Sequence, residues 1–107
     1  MTQDTGTPLA LSGAQKKRLR AQGHHLHPVI QIGKEGISQS LVASTLAALT
    51  SHELIKVKLG QNAPLERQEA ATELARLSTA ALVQQIGKVF LLYRPNPDLP
   101  ADKRIQL

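Results

Sequence analysis

Apolar residues recur every three or four positions in several stretches of the chain, which is the spacing of one helix face. The stretch 37–51 shows this pattern most clearly and predicts a helix. A helix is also predicted over 64–78, because Pro64 suits a first turn, where its missing N–H would have no partner. A third predicted helix, 13–22, has only a narrow apolar stripe, so much of its surface is expected to face water.

Other stretches are typical of β-strands: 53–59 alternates with the two-residue period, 29–32 is a short β-branched run, and 81–86 and 89–94 are strand-like runs. The predicted strands are 29–32, 53–59, 81–86 and 89–94. In the second of these, alternation places Ile55, Val57 and Leu59 on one face, which we expect to be buried. Lys56 and Lys58 then share the opposite face.

In chain order these elements are α-β-α-β-α-β-β, which predicts an α/β fold with a mixed four-stranded sheet and helices packed on it. Gly87 and Lys88 separate the last two strands and suit a tight hairpin turn. Residues 1–10 are polar and are expected to form a flexible leader before a single domain, 11–95. Residues 96–107 lack a clear periodicity and are expected to form an extended or loosely packed tail.

The composition narrows the functions open to the chain. Its 107 residues fit one domain. Phe90 and Tyr93 are the only residues among Phe, Trp and Tyr, so the chain cannot stack successive bases on an aromatic platform. The absence of cysteine excludes disulfides, thiolate nucleophiles and cysteine-bound metals.

The charge is strongly positive, with 13 Lys and Arg against 8 Asp and Glu, a net charge of +5 and a pI near 10.0. Such an excess favours an anionic partner when the charges share a surface. The basic candidates are Lys16, Lys17, Arg18 and Arg20 in the first helix, Lys56 and Lys58 in the second strand, and Lys88 and Arg94 near the hairpin. The four in the first helix wrap around it, so we expect about two of them to face a common ligand.

The stretch between the first strand and the second helix is Gly33, Lys34, Glu35 and Gly36. Glycines allow a ligand to approach the backbone, N–H groups at a helix start favour anions, and Lys34 adds a positive charge. Together these features suit a sugar–phosphate backbone. Two glycines can also serve the geometry of a strand-to-helix turn alone, so the motif by itself leaves both interpretations open.

Three segments in order, LSGAQKKRLRAQGHHLHPVIQIGKEGIS, HELIKVKL and QQIGKVFLLYRP, resemble the CRM domain family in its stand-alone bacterial YhbY-like form. The resemblance runs from about Leu11 to Pro95. It implies a fold similar to the C-terminal domain of translation initiation factor three, and it implies RNA binding. Bacterial members are associated with precursors of the large ribosomal subunit, and plant organellar relatives with intron splicing.

The resemblance also implies that the GxxG turn belongs to the RNA-binding surface, and this turn maps onto Gly33 to Gly36. Glu35 places a negative charge inside the turn, which weakens the simplest picture of a phosphate cradle. Because of the resemblance, RNA of precursor large-subunit particles is the expected partner, with ribosomal proteins as a further one. No run of roughly 20 apolar residues and no secretory layout is present, so a cytoplasmic location is expected.

The histidines raise two alternatives to a binding role. His24, His25 and His27 could approach a zinc ion, but no acidic or cysteine ligand accompanies them, so contact with RNA or with the sheet is favoured. His52 and Glu53 are residue types that can act as an acid–base pair, but adjacent residues at a strand start usually point to opposite sides. We predict no catalytic site, metal or cofactor. The rival functions are a protein-interaction module of ribosome assembly and, less favoured, a metal-dependent RNA hydrolase.

Overall fold

The computed structural model describes residues 10–107 as three α-helices, four β-strands and a short 3-10 turn. The elements are α1 Gly13–Gly23, β1 Pro28–Ile32, α2 Gln39–His52, β2 Leu54–Leu59, α3 Arg67–Leu77, β3 Ala81–Ile86, β4 Val89–Tyr93 and the 3-10 turn Ala101–Lys103. The predicted order of helices and strands is confirmed. The predicted leader, 1–10, lies outside the described residues except for Ala10. Within 10–107, no helix is both long enough and apolar enough to span a membrane.

The four strands form one mixed sheet in the order β1-β2-β4-β3. β1 and β2 run parallel and are connected through α2, while β4 is antiparallel to both of its neighbours, β2 and β3. β3 and β4 form the predicted hairpin, in which Ile86 pairs with Val89 across the turn. The predicted α/β class with a mixed four-stranded sheet is thus confirmed.

Different elements cover the two faces of the sheet. On the face covered by α2 and α3, Ile55, Val57 and Leu59 are almost fully buried, as the alternation predicts. On the other face, Leu19 of α1 packs in a second cluster that includes Leu54. Each such buried aliphatic side chain contributes about 1.5–3 kcal/mol relative to exposure.

Serine side chains cap the first two helices. Ser12 Oγ accepts the N–H of Gln15 at 3.1 Å, and Gln15 Oε1 accepts the N–H of Ser12 at 3.0 Å, which completes a capping box. Ser38 Oγ accepts the N–H of Leu41 at 3.1 Å, so α2 begins at Gln39, slightly later than predicted.

The start of α3 was predicted wrongly. The helix begins at Arg67 and not at Pro64, because the Glu66 side chain accepts the N–H of Glu69 at 3.4 Å and caps the helix there. Pro64 lies in the preceding loop, where it adjoins the turn that contains Gly36.

The C-terminal segment 96–107 packs against the domain, in contrast to the expected extended or loosely packed tail. Glu53 is only 1% exposed, and its carboxylate accepts the backbone N–H groups of Asn96 and Ile105, each at 2.6 Å. Ile105 and Leu107 are half-buried against the cluster around α1. Sequence periodicity could not show this packing, because the two donors lie 43 and 52 residues from Glu53 along the chain.

Candidate nucleic-acid interface

Residues Gly33 to Gly36 form a tight turn directly after β1, which we call the glycine turn. The Gly36 N–H donates to the Gly33 carbonyl at 2.9 Å, and Lys34 and Glu35 are exposed between them. Gly36 is buried and has φ +68°, a conformation that side chains disfavour. A Cβ at this position would lie 3.4 Å from Pro64, which is an ordinary contact distance. The positive φ, and not a lack of space, therefore favours glycine at 36.

Gly33 differs from Gly36 in its exposure, its backbone conformation and the space around it. It is exposed, it lies outside the positive-φ region, and no atom lies within 4 Å of the position that a Cβ would occupy. The turn geometry therefore does not require glycine here. A missing side chain at this exposed position instead opens the main chain to close approach by a ligand.

The glycine turn and the β3–β4 turn lie at the same end of the sheet. Ile32 and Leu59, the last residues of the parallel strands β1 and β2, are paired. The Gly60 N–H donates to the Ile32 carbonyl at 2.8 Å, and the Leu59 N–H donates to the Lys88 carbonyl at 2.7 Å. These hydrogen bonds join the ends of β1, β2 and the hairpin.

Lys58 extends this end of the sheet onto the face that carries α1. It is exposed and pairs with Gln31 of β1 on one side and Val89 of β4 on the other. Lys56 lies on the same face but is half-buried. We call Lys34, Lys58 and Lys88 the basic end, because topology brings them to one end of the sheet from three parts of the chain.

The basic residues of α1 divide between different sides of the helix. Arg20 is half-buried and lines a groove together with Lys56, between α1 and the sheet. Lys16 lies one turn earlier and shares that side of the helix, whereas Arg18 lies on the opposite side. Lys17 and Arg18 are exposed. Lys16 and Arg20 are thus the pair that could face a ligand with Lys56.

Arg94 does not join this surface. It follows β4 at the opposite end of the sheet, where its N–H donates to the Glu53 carbonyl at 2.8 Å. Its side chain lines a shallow depression with Asn96 and Asp98.

The basic end is not neutralised by ion pairs. Among residues 10–107, the single salt bridge joins Arg76 Nη2 to Glu73 Oε2 at 2.6 Å on α3. The hydrogen bond from Arg76 lowers the pKa of Glu73 below its ordinary value. Glu35, inside the glycine turn, is exposed and offsets part of the local positive charge. The lysines of the basic end therefore remain available to an external anion.

Three serines, which the sequence analysis did not single out, lie beside the glycine turn. Ser38, Ser40 and Ser44 line a shallow cleft with Gly33 and Glu35. Ser40 and Ser44 are exposed and one helical turn apart. Their hydroxyl groups can donate to phosphate oxygens, and the available sequence signal was this spacing directly after the GxxG motif.

The histidines lie in different surroundings. Within residues 10–107, no three His, Asp or Glu side chains lie close enough together to hold an ion. The rings of His24 and His25 meet edge to face at 5.4 Å, and His27 lines a different groove from His24. His52 is exposed whereas Glu53 is buried, with both carboxylate oxygens bonded to the tail.

The fold and this surface define a small α/β domain with a glycine turn and a basic end. The family model of the CRS1 / YhbY (CRM) domain matches residues 11–94, and the chain belongs to that family. A probable RNA-binding protein of Pseudomonas aeruginosa is 43% identical over 89 residues, which cover 83% of this chain and 86% of that protein.

Two further relatives span most of the chain. The probable RNA-binding protein YqeI of Bacillus subtilis is 37% identical over 97 residues, covering 91% of this chain and 98% of that protein. The solution structure of a Staphylococcus aureus protein, described as a candidate RNA-binding protein, has a TM-score of 0.71 and 36% identity. It covers 83% of this chain and 93% of its own.

Proposed function

We propose that this chain is a non-catalytic RNA-binding protein that holds structured RNA mainly through its sugar–phosphate backbone. The observation that carries the proposal is the convergence of Lys34, Lys58 and Lys88 beside the open main chain at Gly33. The names of the relatives support the same ligand class. Lysines without ion pairs bind phosphates and release their counterions, so the binding weakens steeply with salt.

Recognition through the backbone follows from the few aromatic residues. Phe90 is 1% exposed and Tyr93 is 3% exposed, so neither ring can stack on a base. Ser40 and Ser44 offer further hydrogen bonds to phosphates beside the glycine turn. Phosphate and shape therefore dominate the proposed contacts, with modest preference for sequence.

The narrower part of the proposal is that the RNA is ribosomal RNA in precursors of the large subunit, where the protein assists assembly. It rests on membership of the family and not on a feature of the surface. This function would place the protein in the cytoplasm and near ribosomal proteins.

The test measures affinity for a large-subunit RNA fragment over a salt series. One variant carries Lys34→Gln, Lys58→Gln and Lys88→Gln. The matched control carries Arg94→Gln, Lys103→Gln and Arg104→Gln, which remove the same charge at the other end of the sheet. We expect the first variant alone to lose affinity strongly and to reduce the salt slope by roughly 0.9 for each lost phosphate contact.

Other outcomes would contradict the proposed surface or favour one of the rival functions. Equal losses in the two variants would contradict the proposed position of the surface, including the exclusion of Arg94. No salt-sensitive binding by the wild type would favour the protein-interaction module. RNA cleavage that stops on chelation would favour the hydrolase.

A further inference from the structure

A groove runs between α1 and the part of the sheet that α1 leaves uncovered; we call it the α1 groove. It encloses about 370 Å³, within the roughly 300–1,000 Å³ of small-ligand sites. Its walls combine apolar side chains with polar ones. The residues that matter here are Arg20, His24, Lys56, Gln84, Ile86 and Val89.

The groove is suited to an anionic ligand with a flat apolar part. None of its lining residues is acidic, while Arg20 and Lys56 both line it. Ile86 is 66% exposed, so its apolar side chain is accessible to a ligand in the groove. A guanidinium group can stack on a planar ring, and the isoleucine offers an apolar contact surface.

A β-bulge brings a polar side chain into the groove. The register between β3 and β4 shifts between Leu82 and Gln84, so that Gln84 pairs with Leu91. Val83 packs in the cluster on the same face as Leu91. With regular alternation, Gln84 would follow Val83 onto the opposite face, against α2 and α3. Bulges commonly redirect one side chain in this way, here an amide that can hydrogen-bond to a base edge.

The groove is continuous with the basic end. Val89 lines the groove and pairs with Lys58, and Lys56 precedes Lys58 on the same face. A nucleotide in the groove could therefore belong to an RNA whose backbone lies across the basic end.

We propose that the α1 groove binds one unpaired nucleotide of the RNA, an inference that rests on the proposed function. The base lies between the Arg20 guanidinium and Ile86, and the Gln84 amide hydrogen-bonds to its edge. Lys56 neutralises the attached phosphate. The protein therefore selects structured RNA that carries an extruded base over a continuous duplex.

The test compares two RNA hairpins that differ by a single bulged 2-aminopurine. We expect the wild type to bind the bulged hairpin roughly ten-fold more tightly, in line with one base held by stacking. The fluorescence of the 2-aminopurine should rise on binding, because the base leaves the RNA stack and the phenyl ring that lines the groove, Phe90, is only 1% exposed. Gln84→Met and Arg20→Lys, which preserve size and charge respectively, should reduce the preference to less than about two-fold.

The control is Gln22→Met, an equivalent change at an exposed position of α1 outside this groove. It should keep the full preference, and Gln84→Met and Gln22→Met should both bind the paired hairpin like the wild type. Equal binding of both hairpins by the wild type, or a preference that survives both substitutions, would overturn the groove proposal alone. Absence of binding to either hairpin would overturn the proposed function as well.

Discussion

The carboxylate of Glu53 holds the C-terminal segment against the domain, so Glu53→Gln should destabilise the fold measurably. Both oxygens accept backbone N–H groups at 2.6 Å, from Asn96 and Ile105. Glutamine keeps one oxygen but turns an NH₂ group toward the other donor. One hydrogen bond to a charged group, worth about 1.5–3 kcal/mol, is then lost and its donor is left facing another donor. We expect a loss of about 2–3 kcal/mol from a domain whose total stability is typically about 5–15 kcal/mol.

A double-mutant cycle with the tail separates this hydrogen bonding from other effects of the substitution. The second change deletes 96–107, which removes both donors and lies beyond the residues matched by the family model. In the shortened chain, Glu53 has no backbone donor from the tail, so Glu53→Gln should change stability by less than about 0.5 kcal/mol. The free energies come from urea unfolding followed by circular dichroism.

A cost of Glu53→Gln that is the same with and without 96–107 would refute the reasoning, because the carboxylate would then act on something other than the tail. Glu35→Gln serves as the matched control. It removes the same charge at an exposed position and should leave stability within about 0.5 kcal/mol.

Three glycine substitutions and one titration test the packing of the domain. Gly36→Ala should cost about 1–2 kcal/mol in urea unfolding because of its positive φ, whereas Gly33→Ala should stay within about 0.5 kcal/mol and weaken RNA binding. Gly23→Ala would place a Cβ 2.5 Å from Leu91 Cδ1 and should cost about 1–3 kcal/mol in thermal unfolding. Burial raises the pKa of Tyr93 above its ordinary 10.0, so ultraviolet titration should show a midpoint above that value. The folded state then holds this proton more tightly, and the resulting stability is present below pH 10.0 and lost as pH rises through the folded pKa.

The fold could be predicted from the sequence where a local pattern was compatible with only one structure. Alternation in β2 correctly separated the buried Ile55, Val57 and Leu59 from the lysines between them, because the strand is regular and one face is fully covered. The start of α3 was predicted wrongly, because Pro64 lies against the distant turn that contains Gly36 and the Glu66 side chain caps the helix instead.

Features that depend on distant partners could not be predicted in this way. The Glu53 contacts cross 43 and 52 residues, and the bulge at Gln84 depends on its pairing with Leu91. Sequence alone would place Gln84 and Gln85 on alternate faces but could not say which one faces α1. In the structure Gln84 lines the groove, while the Gln85 amide donates to the Gly87 carbonyl at 2.8 Å in the hairpin turn.

The same dependence on topology explains why the sequence indicated the candidate basic residues but not which of them lie at the same end of the sheet. Lys34 and Lys88 are far apart in the chain, and they reach one end of the sheet because β1 is parallel to β2 while β4 is antiparallel to it. Had β1 been antiparallel to β2, the glycine turn would lie at the end that holds Arg94. Strand direction, more than the number of positive charges, therefore determines which lysines can contact one RNA backbone together.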